Sequence, residues 1–327
     1  MSSYVHPLAH VDPDAVLGAD VRVGPFAVIG AGVEIGDGSE IGAAAHVQGP
    51  TRIGRGNRIY PQAAVGVDPQ DVKFRGEAVR LEMGDHNIVR EFCTLSRGTA
   101  GGGGVTRIGN HNMFLAYVHI AHDCLVGDRT LFVNLATLAG HVEVHDDATV
   151  GAFATIHQFA RIGRHAYVGA YTVLSKDALP FVKTVGVKPA CYGINSIGLR
   201  RKGFDHGHVA RLARALRLLT RSGFNTRQAV ARMRDELGGD PEVEQLIAFI
   251  ESSRRGVVKA VPRGKGRGLA DAAGGDEDEP EEGEAADEGT DGDEVGVAKP
   301  GADGEAAAAA GIGAGRGAGA GGARGGA

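Results

Sequence analysis

The stretch VGPFAVIGAGVEIGDGSEIGAAAHVQ, residues Val23–Gln48, repeats one pattern every six positions. An aliphatic residue begins each unit, and in most units a glycine follows it. The spacing holds without a slip over residues 5–65, returns over 83–95 after one break, and continues over 108–174 after a second. A hexapeptide repeat of this length is typical of a parallel β-helix, in which three six-residue steps form one triangular coil.

The repeat also indicates which residues are neighbours in space. Its twenty-six steps amount to eight or nine coils, with each aliphatic side chain directed into the axis of the prism. Residues eighteen apart therefore stack on the same face. We expect the glycine after each aliphatic residue to relieve crowding at a corner, because glycine accepts backbone angles that other residues resist.

Composition separates an ordered part from a tail. The chain has 327 residues and a formal net charge of −5, and residues 261–327 carry fifteen acidic and six basic side chains, a balance of −9. The first 260 residues therefore carry twenty-five acidic and twenty-nine basic side chains, a balance of +4. The tail joins an acidic run, residues 276–294, to an alanine- and glycine-rich stretch, and such composition predicts a disordered, solubilising appendage.

Overall composition also excludes several classes of protein. Three cysteines, an odd number without metal-like spacing, argue against a disulfide framework and favour a reducing compartment. The N-terminus lacks the features of a signal peptide and no apolar run is long enough for a membrane span, so we expect a cytoplasmic protein. Without tryptophan, and with a nearly neutral ordered part, no nucleic-acid-binding surface is expected.

Two insertions break the repeat. The first, VDPQDVKFRGEAVR over residues 67–80, mixes charged side chains with one aromatic, and the second, RGTAGGGGV over residues 97–105, contains four successive glycines. Insertions leave a solenoid on one face and often carry its function. The glycines fit either a mobile loop or a close approach of the backbone to a ligand.

After Leu174 the apolar period becomes helical. Three short amphipathic helices are predicted, with Asp205, Asn225 and Asp240 as their N-caps. We expect them to pack on the end of the prism or on one another, because their apolar stripes cannot be buried alone. The predicted domains are a β-helix with the catalytic site over 1–186, a helical domain over 187–260 and the tail over 261–327.

The eighteen-residue rule brings four histidines together. Around the stacked residues 120, 138 and 156 lie His119, His122, His141 and His157. We expect their imidazoles at one corner, within about two strand spacings, roughly 10 Å. Two chemistries fit such a cluster: a general base flanked by substrate-binding histidines, or a catalytic zinc centre of three imidazoles and a water. Asp123 could fix the tautomer of His122, as could a backbone carbonyl.

Six stretches, in their order and spacing, carry a resemblance to a known family: QDVKFRGE (Gln70–Glu77), RGTAGGGGVT (Arg97–Thr106), HIAHDCLVG (His119–Gly127), NLATLAGHV (Asn134–Val142), HQF (His157–Phe159) and GINSIGLRRKGF (Gly193–Phe204). Over about residues 4–258 the chain resembles the UDP-N-acetylglucosamine O-acyltransferases. The hexapeptide repeat alone is less specific, since many acyl- and nucleotidyltransferases carry it.

The resemblance implies a left-handed parallel β-helix, assembled as a homotrimer with active sites in clefts between subunits. It implies transfer of a 3-hydroxyacyl chain from acyl carrier protein to the 3-hydroxyl of the sugar of UDP-N-acetylglucosamine, the first step of lipid A biosynthesis, with no cofactor and no metal. The carrier protein is acidic, so a basic docking patch is expected, with candidates Arg200, Arg201, Arg211, Arg214, Arg217 and Arg221.

The resemblance also implies roles for individual residues. His122 would be the general base, Asp123 its support, and the backbone N–H of Gly140 the oxyanion donor. Substrate binding would fall to Gln70, Asp71, Lys73, His119, His141, His157, Gln158, Ala170, Asn195, Arg201 and Lys202. Among these positions Lys202 replaces an expected arginine, and Ala170 stands where side-chain bulk caps the acyl pocket. Ile197 stands where a glutamate contact to the nucleotide is expected.

Three other functions remain open at this stage. The related N-acyltransferase of the same pathway carries an extra N-terminal domain, for which a repeat beginning at Val5 leaves no room. A zinc-dependent γ-type carbonic anhydrase shares the scaffold, and stoichiometric zinc would favour it. A trimeric scaffold with an inactive site is disfavoured by the intact His122–Asp123 pair and the two insertions.

Overall fold

A computed structural model describes residues 3–259, which form 28 short β-strands, one 3₁₀ turn at Ala100–Gly102 and four α-helices. The strands in chain order are β1 (Tyr4–Val5), β2 (His10–Val11), β3 (Val16–Leu17), β4 (Arg22–Val23), β5 (Val28–Ile29), β6 (Val33–Ile35), β7 (Glu40–Ile41), β8 (His46–Val47), β9 (Thr51–Ile53), β10 (Arg58–Ile59), β11 (Ala64–Val67), β12 (Arg80–Met83), β13 (Ile88–Val89), β14 (Thr94–Ser96), β15 (Val105–Ile108), β16 (Met113–Phe114), β17 (His119–Ile120), β18 (Leu125–Val126), β19 (Leu131–Phe132), β20 (Thr137–Leu138), β21 (Glu143–Val144), β22 (Thr149–Val150), β23 (Thr155–Ile156), β24 (Arg161–Ile162), β25 (Tyr167–Val168), β26 (Val173–Leu174), β27 (Val182–Val185) and β28 (Ala190–Ile194).

These strands form three sheets, here called faces A, B and C. Face A contains every third strand from β1 to β25, followed by β27 and β28. Face B contains every third strand from β2 to β26, and face C every third strand from β3 to β24. Each coil passes through the faces in that order, and neighbouring coils pair in parallel with an eighteen-residue register, as between His119, Thr137 and Thr155. The offset widens only where the insertions intervene, to 30 residues between Ala64 and Thr94 and 25 between Thr94 and His119. The predicted left-handed parallel β-helix is confirmed.

The interior is a column of the repeat's aliphatic and aromatic residues. In the two-residue strands of the long repeat, the first side chain points outward and the second is buried. Phe114 and Phe132 lie on successive coils with their ring centroids 5.1 Å apart. Each such buried side chain stabilises the prism by about 1.5–3 kcal/mol relative to an exposed one, so stability is spread along the stack.

The glycine that follows each aliphatic residue has a different role from the one expected from the sequence, which was to adopt backbone angles that other residues resist. At most corners the left-handed backbone conformation falls on a non-glycine residue, such as Tyr117 (φ 64°), Asp123 (φ 60°) and Arg129 (φ 55°) at the three corners of one coil, although Gly32, Gly38 and Gly56 adopt it at others. The glycine after the aliphatic residue is required for space instead: a Cβ on Gly42 would lie 2.6 Å from the backbone nitrogen of Pro61 on the next coil. Close approach of the coils, not backbone angle, selects glycine there.

A ladder of buried side chains connects successive coils at the C–A corner, the turn between faces C and A. The backbone N–H of Asn87 donates to Oδ1 of Asn57 at 2.8 Å, and that of Asn112 donates to Oδ1 of Asn87 at 2.9 Å. The N–H of Thr130 continues the ladder by donating to Oδ1 of Asn112 at 2.8 Å. These amides satisfy backbone donors that the turn would otherwise bury unpaired.

The end of the prism carries a hairpin and four helices. Strand β27 adds in parallel to β25, β28 pairs antiparallel with β27, and the predicted domain boundary at 186/187 falls between these two strands. The helices are α1 (Ser196–Arg201), α2 (His206–Thr220), α3 (Thr226–Leu237) and α4 (Pro241–Glu251). Helices α2, α3 and α4 were predicted with their caps, whereas α1 was missed because six residues give no apolar period.

The helices pack on one another and on face C. Leu212, Met233 and Ile247, from α2, α3 and α4, are all fully buried. Arg161 on face C donates to the carbonyl of Phe249 at 2.9 Å and lies 4.3 Å from the centroid of its ring. No helix among residues 3–259 is long and apolar enough to cross a membrane. The predicted disordered tail lies outside the described residues.

All three cysteines are buried as free thiols. Burial raises the pKa of the Cys93 thiol to about 11 and those of Cys124 and Cys191 to about 12. Their roles are therefore those of small apolar side chains.

The amide ladder predicts a specific loss of stability. Asn87→Ala removes the acceptor of the Asn112 N–H and should lower the free energy of unfolding by about 1–3 kcal/mol, because a buried donor is left unpaired. Urea titration measures the change. Glu34→Ala on face C, where the replaced side chain is 62% exposed, is the control and should stay within about 0.5 kcal/mol of the parent. Equal effects of the two variants would contradict the ladder's role.

Candidate active site

Both insertions leave the prism at the B–C corner, the turn between faces B and C. The first connects β11 on face B to β12 on face C, and the second connects β14 to β15 on the next coil. The turn after β17, residues 121–124, lies on the coil that follows and contains His122 and Asp123. The two insertions and the histidine turn therefore stack on three successive coils at one corner.

His122 and Asp123 form a hydrogen-bonded pair. Nδ1 of His122 lies 2.8 Å from Oδ2 of Asp123, whose side chain is 1% exposed. The imidazole is 16% exposed and can therefore be reached by a ligand. With the Nδ1 proton directed at a carboxylate, Nε2 is left as the acceptor, which is the tautomer that a general base needs.

Asp123 is also held from the second insertion. Thr99 donates its backbone N–H to Oδ1 at 2.9 Å and its hydroxyl to Oδ2 at 2.6 Å. The backbone N–H of Asp123 donates to Oγ1 of Thr106 at 2.8 Å. Burying a carboxylate costs free energy unless hydrogen-bond donors surround it. Here the carboxylate has three donors: the N–H and the hydroxyl of Thr99, and Nδ1 of His122.

His119 and His141 flank this pair, His119 on strand β17 of the same coil and His141 on the next coil. The ring of His141 meets that of His122 edge-on with centroids 5.3 Å apart and stacks on Phe159 at 4.4 Å. Nδ1 of His119 lies 2.7 Å from Oγ1 of Thr94. Burial lowers the pKa of both flanking imidazoles, and the nearby charge of His122 lowers each further, although Asp123 partly offsets the shift at His141. Both rings are therefore neutral hydrogen-bonding groups at pH 7.

Gly140 lies directly against the His122 ring. A Cβ at this position would come within 2.5 Å of Cε1 and 2.8 Å of Nε2 of that ring, so only glycine fits. The residue is buried, and its N–H has no backbone acceptor within residues 3–259. An unpaired N–H beside the imidazole is compatible with the predicted oxyanion role, which stays a prediction.

The remaining predicted sugar-binding residues surround this corner. His157 and Gln158 occupy the same turn one coil beyond Gly140, both exposed, with Nδ1 of His157 3.0 Å from the carbonyl of Gln158. Gln70, Asp71 and Lys73 lie on the first insertion, where Oδ1 of Asp71 accepts the N–H of Lys73 at 2.9 Å. Asp71 is close enough to raise the pKa of His141 slightly against the effect of burial.

The predicted nucleotide-binding residues lie at a different corner of the same chain. Asn195 caps α1 and donates its amide to the carbonyl of His165 at 3.1 Å, at the C–A corner. Nζ of Lys202 lies 3.0 Å from Oδ1 of Asp147, at the same corner. Arg201 is exposed in the last turn of α1. One chain therefore does not bring these residues next to the histidine cluster.

Asp147 anchors α1 to the prism. Its side chain is 4% exposed and is approached by the cations of Arg129, Arg164 and Lys202. Burial raises the pKa of Asp147, but the hydrogen bonds from Arg129 and Lys202 outweigh it and the net pKa is below its usual value. The carboxylate is therefore charged and holds the end of α1 against the C–A corner.

Two further positions have distinct surroundings. Ala170 lies in the turn between β25 and β26 at the A–B corner, across face B from the histidines. Ile197, on α1, is 48% exposed. The acyl-pocket and nucleotide interpretations of these positions stay predictions.

The predicted basic patch is partly neutralised within the chain. Arg211 pairs with Asp240, and Nη2 of Arg214 lies 2.7 Å from Glu236. The other four members pair with no carboxylate in the described part of the chain: Arg200, Arg201, Arg217 and Arg221.

Comparison with known proteins agrees with this architecture. Residues 177–258 match the sequence profile of the second domain of UDP-N-acetylglucosamine O-acyltransferases. The acyl-[acyl-carrier-protein]–UDP-N-acetylglucosamine O-acyltransferase of Thiobacillus denitrificans is 48% identical over 255 residues, 78% of this chain and 99% of that protein. Its counterpart in Halorhodospira halophila is 49% identical over 267 residues, 78% and 99% of the two chains.

A solved structure shares the fold over the same region. The UDP-N-acetylglucosamine acyltransferase of Francisella novicida is 34% identical, with a TM-score of 0.76 over 80% of this chain and 95% of that one. The corresponding enzyme of Bacteroides fragilis is 38% identical, with a TM-score of 0.76 over 78% and 100%.

Sequence reasoning missed Thr99, Thr106 and Asp147. A signal for the first two was present, because Val65, Leu95 and Ile120 belong to the same face, and the segments that follow them must therefore meet at one corner. For Asp147 no signal existed, since its partner Lys202 comes after the repeat has ended.

The buried imidazole of His165, at the C–A corner, should make the stability of the protein depend on pH. Burial lowers the pKa of His165 to about 4, below its ordinary 6.5, despite the opposing charge of Asp147. Between these values the unfolded chain binds a proton that the folded chain does not, so stability should fall as pH drops from 6.5 to 4. In His165→Asn this proton is absent, so between pH 4 and 6.5 the slope of the unfolding free energy against pH should decrease by up to about 1.4 kcal/mol per pH unit, the value for one proton.

Urea titrations across pH 4–8 measure this slope. Above pH 7 the curves of parent and variant should run parallel, which serves as the internal control. Parallel curves over the whole range would show that His165 is not the group concerned.

Proposed function

This chain belongs to the family of acyl-[acyl-carrier-protein]–UDP-N-acetylglucosamine O-acyltransferases, and we propose that it transfers a 3-hydroxyacyl chain from acyl carrier protein to the sugar 3-hydroxyl of UDP-N-acetylglucosamine. This is the first step of lipid A biosynthesis. The observation that carries the proposal is the His122 imidazole, held by Asp123 on one side and packed on Gly140 on the other.

His122 acts as the general base in the proposed mechanism. Its Nε2 takes the proton of the sugar hydroxyl while that oxygen attacks the thioester carbon. The carbonyl oxygen becomes negatively charged and accepts a hydrogen bond from the N–H of Gly140. The carbon–sulfur bond then breaks, and the leaving thiolate of the carrier takes the proton back from His122. The products are the 3-O-acyl sugar nucleotide and free acyl carrier protein.

The groups around this pair suit a sugar and a diphosphate. His119 and His141 are neutral at pH 7, because burial lowers their pKa values. His141 can donate one hydrogen bond to a sugar oxygen and accept one from a hydroxyl, whereas His119, whose Nδ1 is engaged by Thr94, offers its Nε2. Lys73 supplies a cation for phosphate, and Asp71 an acceptor for sugar hydroxyls. Gln70, His157 and Gln158 are exposed at the same corner and complete the set.

A second copy of the chain would complete the site. In one chain, Asn195, Arg201 and Lys202 lie at the C–A corner and the histidines at the B–C corner. A homotrimer in which the C–A corner of one subunit approaches the B–C corner of the next joins the two sets three times, and closes without leaving an open end.

Face B supports an assembly of this kind. Its outward-facing residues carry no Lys, Arg, Asp or Glu: His10, Val28, His46, Ala64, Thr94, His119, Thr137, Thr155 and Val173. The corresponding positions of face C include the charged series Glu34, Arg52, Glu82 and Arg107. Depletion of charge is the compositional mark of an interface core.

The acidic carrier protein would dock on the helical end. The four arginines of the basic patch that pair with no carboxylate among residues 3–259, Arg200, Arg201, Arg217 and Arg221, provide the complementary charge there. Both substrates and the reduced thiols fit a cytoplasmic enzyme.

A zinc hydratase is the second candidate, favoured by one observation. A ligating atom from each of His122, Asp123 and His141 lies within 4.8 Å of the others, close enough for one metal ion. Against it, Oδ2 of Asp123 already accepts from Thr99 and from His122. The acyltransferase therefore accounts for more of the observed hydrogen bonds.

Replacing the general base should abolish transfer. His122→Ala should lower the rate of 3-O-acyl product formation at least about 100-fold, the scale of general-base catalysis, with UDP-N-acetylglucosamine and 3-hydroxyacyl carrier protein as substrates. Product is quantified by mass spectrometry over a panel of acyl lengths, with the 3-amino sugar nucleotide as a second acceptor.

His6→Ala is the matched control, because His6 lies in the turn between β1 and β2 at the A–B corner of the first coil, away from the histidine cluster and from the C–A corner. Its activity, and that of chelator-treated parent enzyme, should match the parent. Full activity of His122→Ala would refute the base assignment, and activity that disappears with chelation and returns with zinc would favour the hydratase-like site.

Mixing two inactive variants tests whether neighbouring chains share a site. His122→Ala and Arg201→Ala should each be inactive, yet subunits refolded together at equal amounts should regain up to about a quarter of parent activity, because one site in four then combines both intact corners. Size-exclusion chromatography with light scattering checks that the mixture is trimeric.

Glu34→Ala, on β6 of face C outside both corners, replaces Arg201→Ala in the control mixture. This mixture should keep about half of parent activity, because half of its sites contain an intact His122 and every C–A corner is intact. No recovery from two inactive variants that form mixed trimers would place both residue sets within one chain.

A further inference from the structure

The four-glycine insertion lies against a carboxylate. A Cβ on Gly102 would come within 2.1 Å of Cγ and 2.2 Å of Oδ2 of Asp123, so the backbone packs directly on that side chain. A Cβ on the preceding Gly101 would meet nothing within 4 Å. The sequence left open a mobile loop or a close approach of the backbone to a ligand; the structure shows the backbone packed against a side chain of the protein itself.

A short turn brings Gly102 into this position. Thr99 precedes the 3₁₀ turn Ala100–Gly102, and its carbonyl accepts the N–H of Gly102 at 3.0 Å and that of Gly104 at 2.8 Å. Gly103 and Gly104 follow with φ values of 98° and 79°, a conformation that side chains disfavour. The glycine run thus serves a compact turn that presents Thr99 and Gly102 to Asp123.

Hydrogen bonds to the first insertion anchor the ends of the turn. The N–H of Arg97 donates to the carbonyl of Val67 at 3.0 Å, and the N–H of Arg80 donates to that of Gly104 at 2.9 Å. The buried guanidinium of Arg97 also pairs with Asp68 and with the carbonyl of Gly49. The turn is therefore fixed at both ends to the neighbouring coil.

We infer that Thr99 and Gly102, here called the Asp123 clamp, are positioning residues for the general base. The inference rests on the proposed role of His122 and extends it one layer outward. Thr99 supplies two of the three hydrogen bonds that the Asp123 carboxylate accepts, and Gly102 excludes water from its far side. The clamp keeps the carboxylate aimed at Nδ1 of His122, so that Nε2 faces the substrate as the base.

The chemistry of the clamp predicts a kinetic signature. Without the Thr99 hydroxyl, Asp123 keeps more of its negative charge for His122, and the imidazole holds its proton more tightly. The acid limb of the kcat–pH profile should then move to higher pH. The orientation of the imidazole should also loosen, which lowers kcat. KM for UDP-N-acetylglucosamine should change little, because the clamp does not touch the sugar.

Two substitutions in the same turn provide a matched test. Gly102→Ala places a methyl on Asp123 and should lower kcat at least tenfold, whereas Gly101→Ala should remain within about twofold of the parent, since its methyl meets open space. Thr99→Val should lower kcat about tenfold and move the acid limb upward by about half a pH unit, and Thr99→Ser should restore both. Thermal unfolding and light scattering establish that every variant is folded and assembled.

Four outcomes are decisive. The expected pattern, with the Gly101/Gly102 contrast and the Thr99→Ser rescue, supports the clamp. Parent-like kcat and pH profile in Gly102→Ala and Thr99→Val, while His122→Ala is inactive, would overturn the clamp and leave the proposed function intact. Equal losses in Gly101→Ala and Gly102→Ala would also overturn it, because the loop would then be sensitive everywhere. An active His122→Ala would instead refute the general base on which the inference rests.

Discussion

Hydrogen bonds between successive coils fix their register, which is eighteen residues outside the two insertions, and the rest of the structure depends on it. The register aligns inward residues into one apolar column and brings the turns of successive coils into stacks at three corners. At the B–C corner the N–H of His141 donates to the carbonyl of His122 at 3.0 Å, and that of Phe159 donates to the carbonyl of Gly140 at 3.2 Å. Backbone pairing thus sets the geometry of the candidate site before any side-chain interaction contributes.

Because the register is regular, the sequence predicted much of the molecule. The coil count, the three capped helices and the placement of His122 beside His141 follow from a fixed period and from local capping chemistry. What escaped prediction lies where the period is absent. The path of the glycine-rich insertion determines that Thr99 meets Asp123, and the short helix α1 begins after the repeat has ended. Neither feature can be predicted from the spacing of residues in the sequence.

The two buried carboxylates, Asp147 at the C–A corner and Asp123 at the B–C corner, differ in the groups that surround them. Asp147 is surrounded by the cations of Arg129, Arg164 and Lys202, so its charge is neutralised locally and fastens the helical end to the prism. Asp123 is held by neutral donors and one imidazole, so its charge is available to the ring of His122. The first arrangement suits anchoring and the second suits proton transfer, although both carboxylates are nearly inaccessible to water.

The buried thiols have a practical consequence. At neutral pH hardly any thiolate forms in the folded state, since burial raises all three thiol pKa values to about 11 or 12. Alkylating reagents and peroxides would therefore find nucleophilic sulfur only when a coil opens. Cys93 and Cys124 lie in the middle of the stack and Cys191 in the hairpin at its end, so the relative rates at which they are labelled would report where the solenoid begins to unwind.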